Sequence, residues 1–267
     1  MKLALSSCVV AALLASANAF AADAPAAAEP APAPEHTFTA NVGVFSQYIF
    51  RGISQTNEDP ALQGGFDYAH SSGLYIGTWA SNVSWLNETA ADATQYQRGS
   101  AEIDIYGGYK SVLGETGVGY DVGVLQYWYP GKKLDGAKAN TTEVYGALSW
   151  QWFTAKYSYA VSSEVFGNRD ADGSWYVDLS AAYPIGDTGV TAGAHWGRQH
   201  FAGAANGRYS YNDWRVSLAY DMGKLGEKLA GTEFGVMYTD NTTKNNDWPE
   251  SVFGSPSQFT AYLKRTF

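Results

Sequence analysis

Past residue 35 the chain alternates apolar and polar positions with period two. Ala101, Ile103, Ile105, Gly107 and Tyr109 share one phase, and Glu102, Asp104, Tyr106, Gly108 and Lys110 share the other. Val144, Gly146, Leu148 and Trp150 oppose Glu143, Tyr145, Ala147 and Ser149 in the same way. So do Trp214, Val216, Leu218 and Tyr220 against Asp213, Arg215, Ser217 and Ala219. Period two means strands with one apolar face. The pattern predicts twelve, over residues 37–51, 61–70, 73–85, 99–110, 116–129, 142–151, 153–164, 174–184, 188–199, 210–221, 231–241 and 257–267. Their connections alternate short and long. The short ones lie near residues 71–73, 111–115, 152 and 185–187, with 222–230 a longer exception. The long polar ones are 52–60, 86–98, 130–140, 167–173, 201–209 and 242–256. An even strand count with loop length sorted by parity is the signature of a closed antiparallel transmembrane β-barrel with short periplasmic turns and long extracellular loops.

Two segments precede the barrel. Residues 1–22 read as a signal peptide: Lys2, an apolar stretch over 3–15, then Ala17-Asn18-Ala19, with cleavage after Ala19 or Ala22. Cys8, the single cysteine, falls inside it, and cleavage, which removes Lys2 and no acid, leaves the chain one unit more acidic. Residues 23–35 (DAPAAAEPAPAPE) read as an extended, disordered Ala/Pro linker. The barrel domain is assigned to 36–267.

Composition fits this organisation. Of 267 residues only 16% are charged, against roughly 25% in soluble domains, while 15% are aromatic and 29 are glycine. In a membrane barrel the apolar phase faces lipid; a soluble β-protein would bury it instead. Trp85, Trp128, Tyr129, Trp150, Trp152, Trp175 and Trp196 sit at predicted strand ends, where interfacial girdles form. The last strand ends in Phe267, the aromatic terminus that barrel-assembly machinery commonly reads, although Arg265 interrupts its apolar phase. The expected location is the outer membrane, with its lipid as one partner. A net charge of −9 argues against nucleic acid.

The run Phe45-Ser46-Gln47-Tyr48-Ile49-Phe50-Arg51-Gly52-Ile53-Ser54-Gln55, followed by residues 60–68 (PALQGGFDY) and 73–79 (GLYIGTW), resembles the TorF-type porin family of uncharacterised proteobacterial envelope proteins. The resemblance is strongest over about residues 36–85. It implies an outer-membrane barrel of channel function and no particular substrate.

The polar phase then lines the interior. It carries Arg51, Glu102, Asp104, Asp121, Glu143, Lys156, Glu164, Asp178, Arg215, Glu233 and Lys264 as pore-lining candidates, with His195 and Asp213 on the same phase. Acids outnumber bases, and carboxylate rings favour cations. The expected function is passive diffusion of small hydrophilic solutes with a cation preference. The alternative is a closed structural or adhesive barrel, its bore shut by pairing of Arg51, Lys156, Arg215 and Lys264 with the acids, acting through its loops. Inward Phe45, Tyr106, Tyr127 and Tyr145 either stack solutes or fill space. No enzyme is expected, because His36, His70, His195 and His200 form no recognisable triad. No cofactor or metal is expected either, since His195 and His200 lack a third ligand at a recognisable spacing.

Overall fold

The computed structural model describes residues 34–87, 96–133 and 138–267. The signal-peptide assignment and nearly all of the proposed linker lie outside them. The barrel strands are β1 (His36–Phe45), β2 (Ala61–His70), β3 (Leu74–Asn82), β4 (Ala101–Val112), β5 (Gly119–Trp128) and β6 (Thr141–Trp150). They continue as β7 (Phe153–Ala160), β8 (Trp175–Pro184), β9 (Val190–His200), β10 (Tyr211–Asp221), β11 (Thr232–Asn241) and β12 (Gln258–Thr266). Each pairs antiparallel with its sequence neighbours, and β12 returns to β1 through Asn41↔Thr266 to Phe45↔Tyr262, closing the barrel. Closure matters because a spanning sheet has no water at its edges to satisfy unpaired backbone.

Parity decides what each wall residue meets. Val44, Leu62, Ile76, Ile105, Val122, Leu148 and Val216 point outward and stay 47–61% exposed on the isolated chain. An apolar belt of this extent on a closed barrel suits hydrocarbon rather than water. Inward positions are buried or half-buried, and five of them pair a tyrosine with a glycine on the adjacent strand: Tyr75 with Gly108, Tyr106 with Gly77, Tyr145 with Gly123, Tyr176 with Gly197, and Tyr262 with Gly235. A Cβ on any of these glycines would overlap the tyrosine side chain. The abundance of both residue types is therefore one packing device, in which a large inward ring lies over a neighbour that has no side chain.

Both termini of the barrel and the short turns share one end; Phe267 and Ala40 exchange backbone hydrogen bonds there. The described parts of the long connections gather at the other end. Trp248 packs on Tyr209, Tyr211 and Phe253, and Ile53, Ala160, Val165, Ala171, Phe201 and Tyr211 form a buried cluster beneath them.

Three expectations need correction. The first strand stops at Phe45, and Ile49–Phe50 pairs with Ile53–Ser54 as a separate hairpin. Strand β7 stops at Ala160, so Glu164 belongs to a loop, where it pairs with Lys138 at 3.7 Å. Tyr129 and Trp85 are not interfacial: Tyr129 is buried, and Trp85 packs against it from the same interior cluster. Trp128, Trp150, Trp152 and Trp196 do stand on the outer surface.

Candidate functional site

The interior is organised by residues 46–60, which leave the wall after β1 and fold into the bore. Tyr48, Ile49, Phe50, Ile53, Ser54, Gln55 and Thr56 are all buried, consecutive residues included. A wall strand buries only alternate residues, so this run has protein on every side. The hairpin is held by Gln55 N–H to the Tyr48 carbonyl (2.7 Å) and by Thr56 Oγ1, which accepts from Tyr48 N–H (3.1 Å). Its tip is a two-residue turn with φ of +47° at Arg51 and +78° at Gly52, the left-handed pair that tight hairpins require. Glycine takes that geometry freely; at Arg51 it costs on the order of 1–3 kcal/mol, which the surrounding contacts must offset.

Arg51 has such contacts. Its guanidinium donates to both Glu143 oxygens (Nη1 at 3.0 Å, Nη2 at 2.7 Å) and to Gln199 Oε1 (2.8 Å). It also lies 4.4 Å from the Tyr176 ring centroid. The pair is buried, with side chains 8% and 2% exposed. Two-pronged pairing of this kind is directional as well as strong. Beside the tip, Gly52 packs against Asp213, and Asn241 Nδ2 donates to the Gly52 carbonyl (2.7 Å). On the opposite flank the Tyr48 hydroxyl donates to Glu102 Oε1 (2.7 Å), and Tyr129 donates to the other oxygen (2.9 Å). The hairpin thus reaches wall strands from β3, through Trp79, around to β11.

Below the tip lies a second polar layer. His195 sits between Asp213 (Nε2 to Oδ1, 2.9 Å) and Asp178 (Nδ1 to Oδ2, 3.3 Å). Tyr176 donates to Asp213 (2.9 Å). Tyr75 donates to Asp121 (2.5 Å) and also meets the Tyr145 hydroxyl, while Lys156 stands 4.1 Å over the Tyr145 ring. Between the tip and this layer a cavity of about 70 Å³ remains, lined by Arg51, Lys156, Tyr176, Asp178, His195 and Arg215 among others. That is room for a few waters. Nearer the short-turn end Tyr262 donates to Glu233 (2.8 Å), with Lys264 3.8 Å from the same carboxylate.

The predicted pore-lining residues therefore divide. Glu102, Asp104, Asp121, Glu143, Lys156, Asp178, Arg215, Glu233 and Lys264 occupy the barrel strands on the inward phase. Arg51 is inside but on the hairpin tip, and Glu164 is in a loop. Glu102 and Asp104 are each only 1% exposed. The inward aromatics fill space: Phe45 stacks on Tyr262, and Tyr127 packs against Phe50 and Phe166. Sequence reasoning missed the hairpin, Tyr48 included, and the residues Tyr129 and Gln199 that help to hold it. The available signal was the unbroken apolar run Tyr48-Ile49-Phe50 before Arg51-Gly52, where alternation fails.

The architecture has counterparts among solved structures. The KdgM porin aligns with 86% of this chain and 99% of its own at 8% identity, with a TM-score of 0.52. KdgM porin in complex with disordered oligogalacturonate aligns over the same shares at 7% identity and 0.52. The NanC porin aligns over 86% and 99% at 10% identity and 0.51. At such identities the likeness is one of fold. No protein of curated function matches the sequence. A family model does match, over residues 27–267, and the chain belongs to that family, described as a bacterial protein of unknown function (Gcw_chp).

Proposed function

We propose that this protein is an outer-membrane channel for passive diffusion of small hydrophilic solutes, leaning towards cations, with residues 46–60 as its constriction. The observation that carries the reading is the inversion of the barrel: apolar outside, charged and hydrogen-bonded inside. A water-filled path needs such an interior. The inward carboxylates Glu102, Asp104, Asp121, Glu143, Asp178, Asp213 and Glu233 outnumber Arg51, Lys156, Arg215 and Lys264. A lumen of that balance repels acidic chains. Oligogalacturonate, bound by the KdgM porin, is such a chain, so the substrate class proposed here is different: small cations and neutral polar solutes, and no nucleic acid. Membrane lipid meets the belt, and the strand ending in Phe267 offers itself to barrel-assembly machinery. The stretch that resembles the TorF-type family, residues 48–54, is the constricting hairpin, and we place the kinship there.

A second reading is favoured by the small cavity under the hairpin: a closed barrel that acts through its loops. One comparison separates the two. The refolded full chain and a variant with residues 47–59 replaced by a short Gly/Ser turn are recorded as single channels under a salt gradient. The channel reading expects small cation-leaning steps from the former and several-fold larger steps from the latter. Silence from the folded parent would leave the structural barrel as the answer, whether or not the variant conducts.

A further inference from the structure

Outside the bore, at the end where the chain enters the barrel, Glu35, His36 and His70 bring one ligand atom each to within 4.8 Å of one another. We propose that these three residues form a transition-metal site, best suited to Zn²⁺. Strand pairing builds it. His36 and His70 are register partners across β1 and β2, on the outward phase, and their ring centroids are 5.3 Å apart. Glu35 is the residue before β1, and its carbonyl accepts from Ser71 N–H (2.9 Å), which fixes the chain beside the turn that follows His70. Glu35 Oε1 lies 3.5 Å from His70 Nε2. Two ligands bound 2.0–2.1 Å from one tetrahedral ion stand about 3.3 Å apart, so this pair is nearly in place and the His36 ring must close the remaining distance.

The rings are also oriented for it. His36 Nδ1 contacts the Tyr68 hydroxyl (2.9 Å), and His70 Nδ1 contacts Ser72 Oγ (2.8 Å). Both Nδ1 atoms are engaged by neighbours, so each ring offers Nε2 to an ion; a bound histidine donates from its other nitrogen, and the Tyr68 and Ser72 hydroxyl oxygens are there to accept. In the metal-free arrangement His70 Nδ1 also accepts from Ser72 N–H (3.1 Å). On binding, Zn²⁺ displaces the proton from His70 Nε2, whose lone pair turns to the metal; Nδ1 gives up the Ser72 N–H and takes a proton of its own, which it donates to Ser72 Oγ. Two imidazoles and a carboxylate suit Zn²⁺ by donor type and leave a fourth position for water. The ion would clamp the entering chain to the β2–β3 turn at the rim of the apolar belt, and it would leave the bore untouched.

The test is a Zn²⁺ titration of the refolded full chain, made without a histidine tag, by calorimetry and by X-ray absorption at the zinc edge. One Zn²⁺ per chain with two imidazole ligands is expected. His36→Asn/His70→Asn is expected to abolish that site, and Glu35→Gln and Tyr68→Phe each to weaken it by about tenfold or more. Conductance is expected to stay unchanged in all of them. These positions lie at the surface, and heat-modifiable migration on gels reports whether each variant has folded. Absence of binding to the folded parent, or stoichiometric binding that survives in the double variant, would overturn the site.

Discussion

Along the wall, a residue's environment follows from whether its number is odd or even. Val144 meets the outside, and Glu143 and Tyr145 on either side of it are buried within. In residues 46–60 that rule gives way. Tyr48, Ile49 and Phe50 are buried in succession, and Arg51, the one cation among them, is buried with its acid. The two regions are stabilised differently. The wall rests on backbone ladders and tolerates much side-chain variation on its outer face. The hairpin has only two short strand pairings, Ile49↔Ser54 and Phe50↔Ile53, and depends on a few side-chain contacts reaching from β3 to β11. The wall therefore sets whether the protein spans a membrane, and the hairpin sets how much space remains inside it.

The sharpest way to break this contrast is to cut the hairpin's latch. Arg51→Met leaves Glu143 buried without its partner, which costs about 3–5 kcal/mol, whereas replacing both by apolar residues of similar size is often nearly neutral. Arg51→Met alone should therefore release the hairpin, and Arg51→Met/Glu143→Met should restore much of its packing. Protease cleavage near Gly52 in refolded protein, read beside single-channel step size, measures the release. Equal cleavage in the parent and the single variant would show that the pair does not hold the hairpin.

The same contrast explains what was legible beforehand. Twelve strands and their faces could be read because period two is a local signal repeated twelve times, and the lipid-facing side was set by sign rather than by detail. The hairpin could not be read in place, because its position is fixed by Glu143, Gln199 and Asn241. These residues stand 92 to 189 positions away from their partners at the tip, parity assigns them to the wall, and nothing local connects them to Arg51 or Gly52. Glu164 was misplaced for a related reason: its phase is that of β7, but the strand ends four residues earlier, where Ala160 is taken into the buried cluster under the loops. The pairing of His36 with His70 was likewise invisible, since it depends on the register between β1 and β2 and not on spacing along the chain.

A second, somewhat smaller effect sharpens the wall side of the comparison. Val122 in β5 faces outward and Gln63 in β2 faces inward. A lysine at the lipid face near the midplane costs about 2–4 kcal/mol. Val122→Lys should lose stability in that range by urea unfolding in lipid vesicles, and Gln63→Lys clearly less. Equal losses would mean that the outer face does not meet hydrocarbon.

The smallest effect tests where selectivity resides. Glu102 and Asp104 sit on the inward phase and look from sequence like a cation-attracting pair. In the structure Glu102 instead anchors the hairpin, because both of its oxygens accept tyrosine hydroxyls, one from the hairpin at Tyr48 and one from Tyr129. At 1% exposure neither carboxylate meets a permeating ion directly while the hairpin is in place. Glu102→Gln/Asp104→Asn should then shift the reversal potential only slightly in the parent. In the variant that lacks residues 47–59 the same two substitutions face open water, and their loss should move the reversal potential clearly towards zero. A large shift in the parent would mean that ions pass between the hairpin and β4, and the constriction would have to be placed elsewhere in the bore. An equally small shift in both backgrounds would move the selective charge to Asp121 and Asp178, below the hairpin tip.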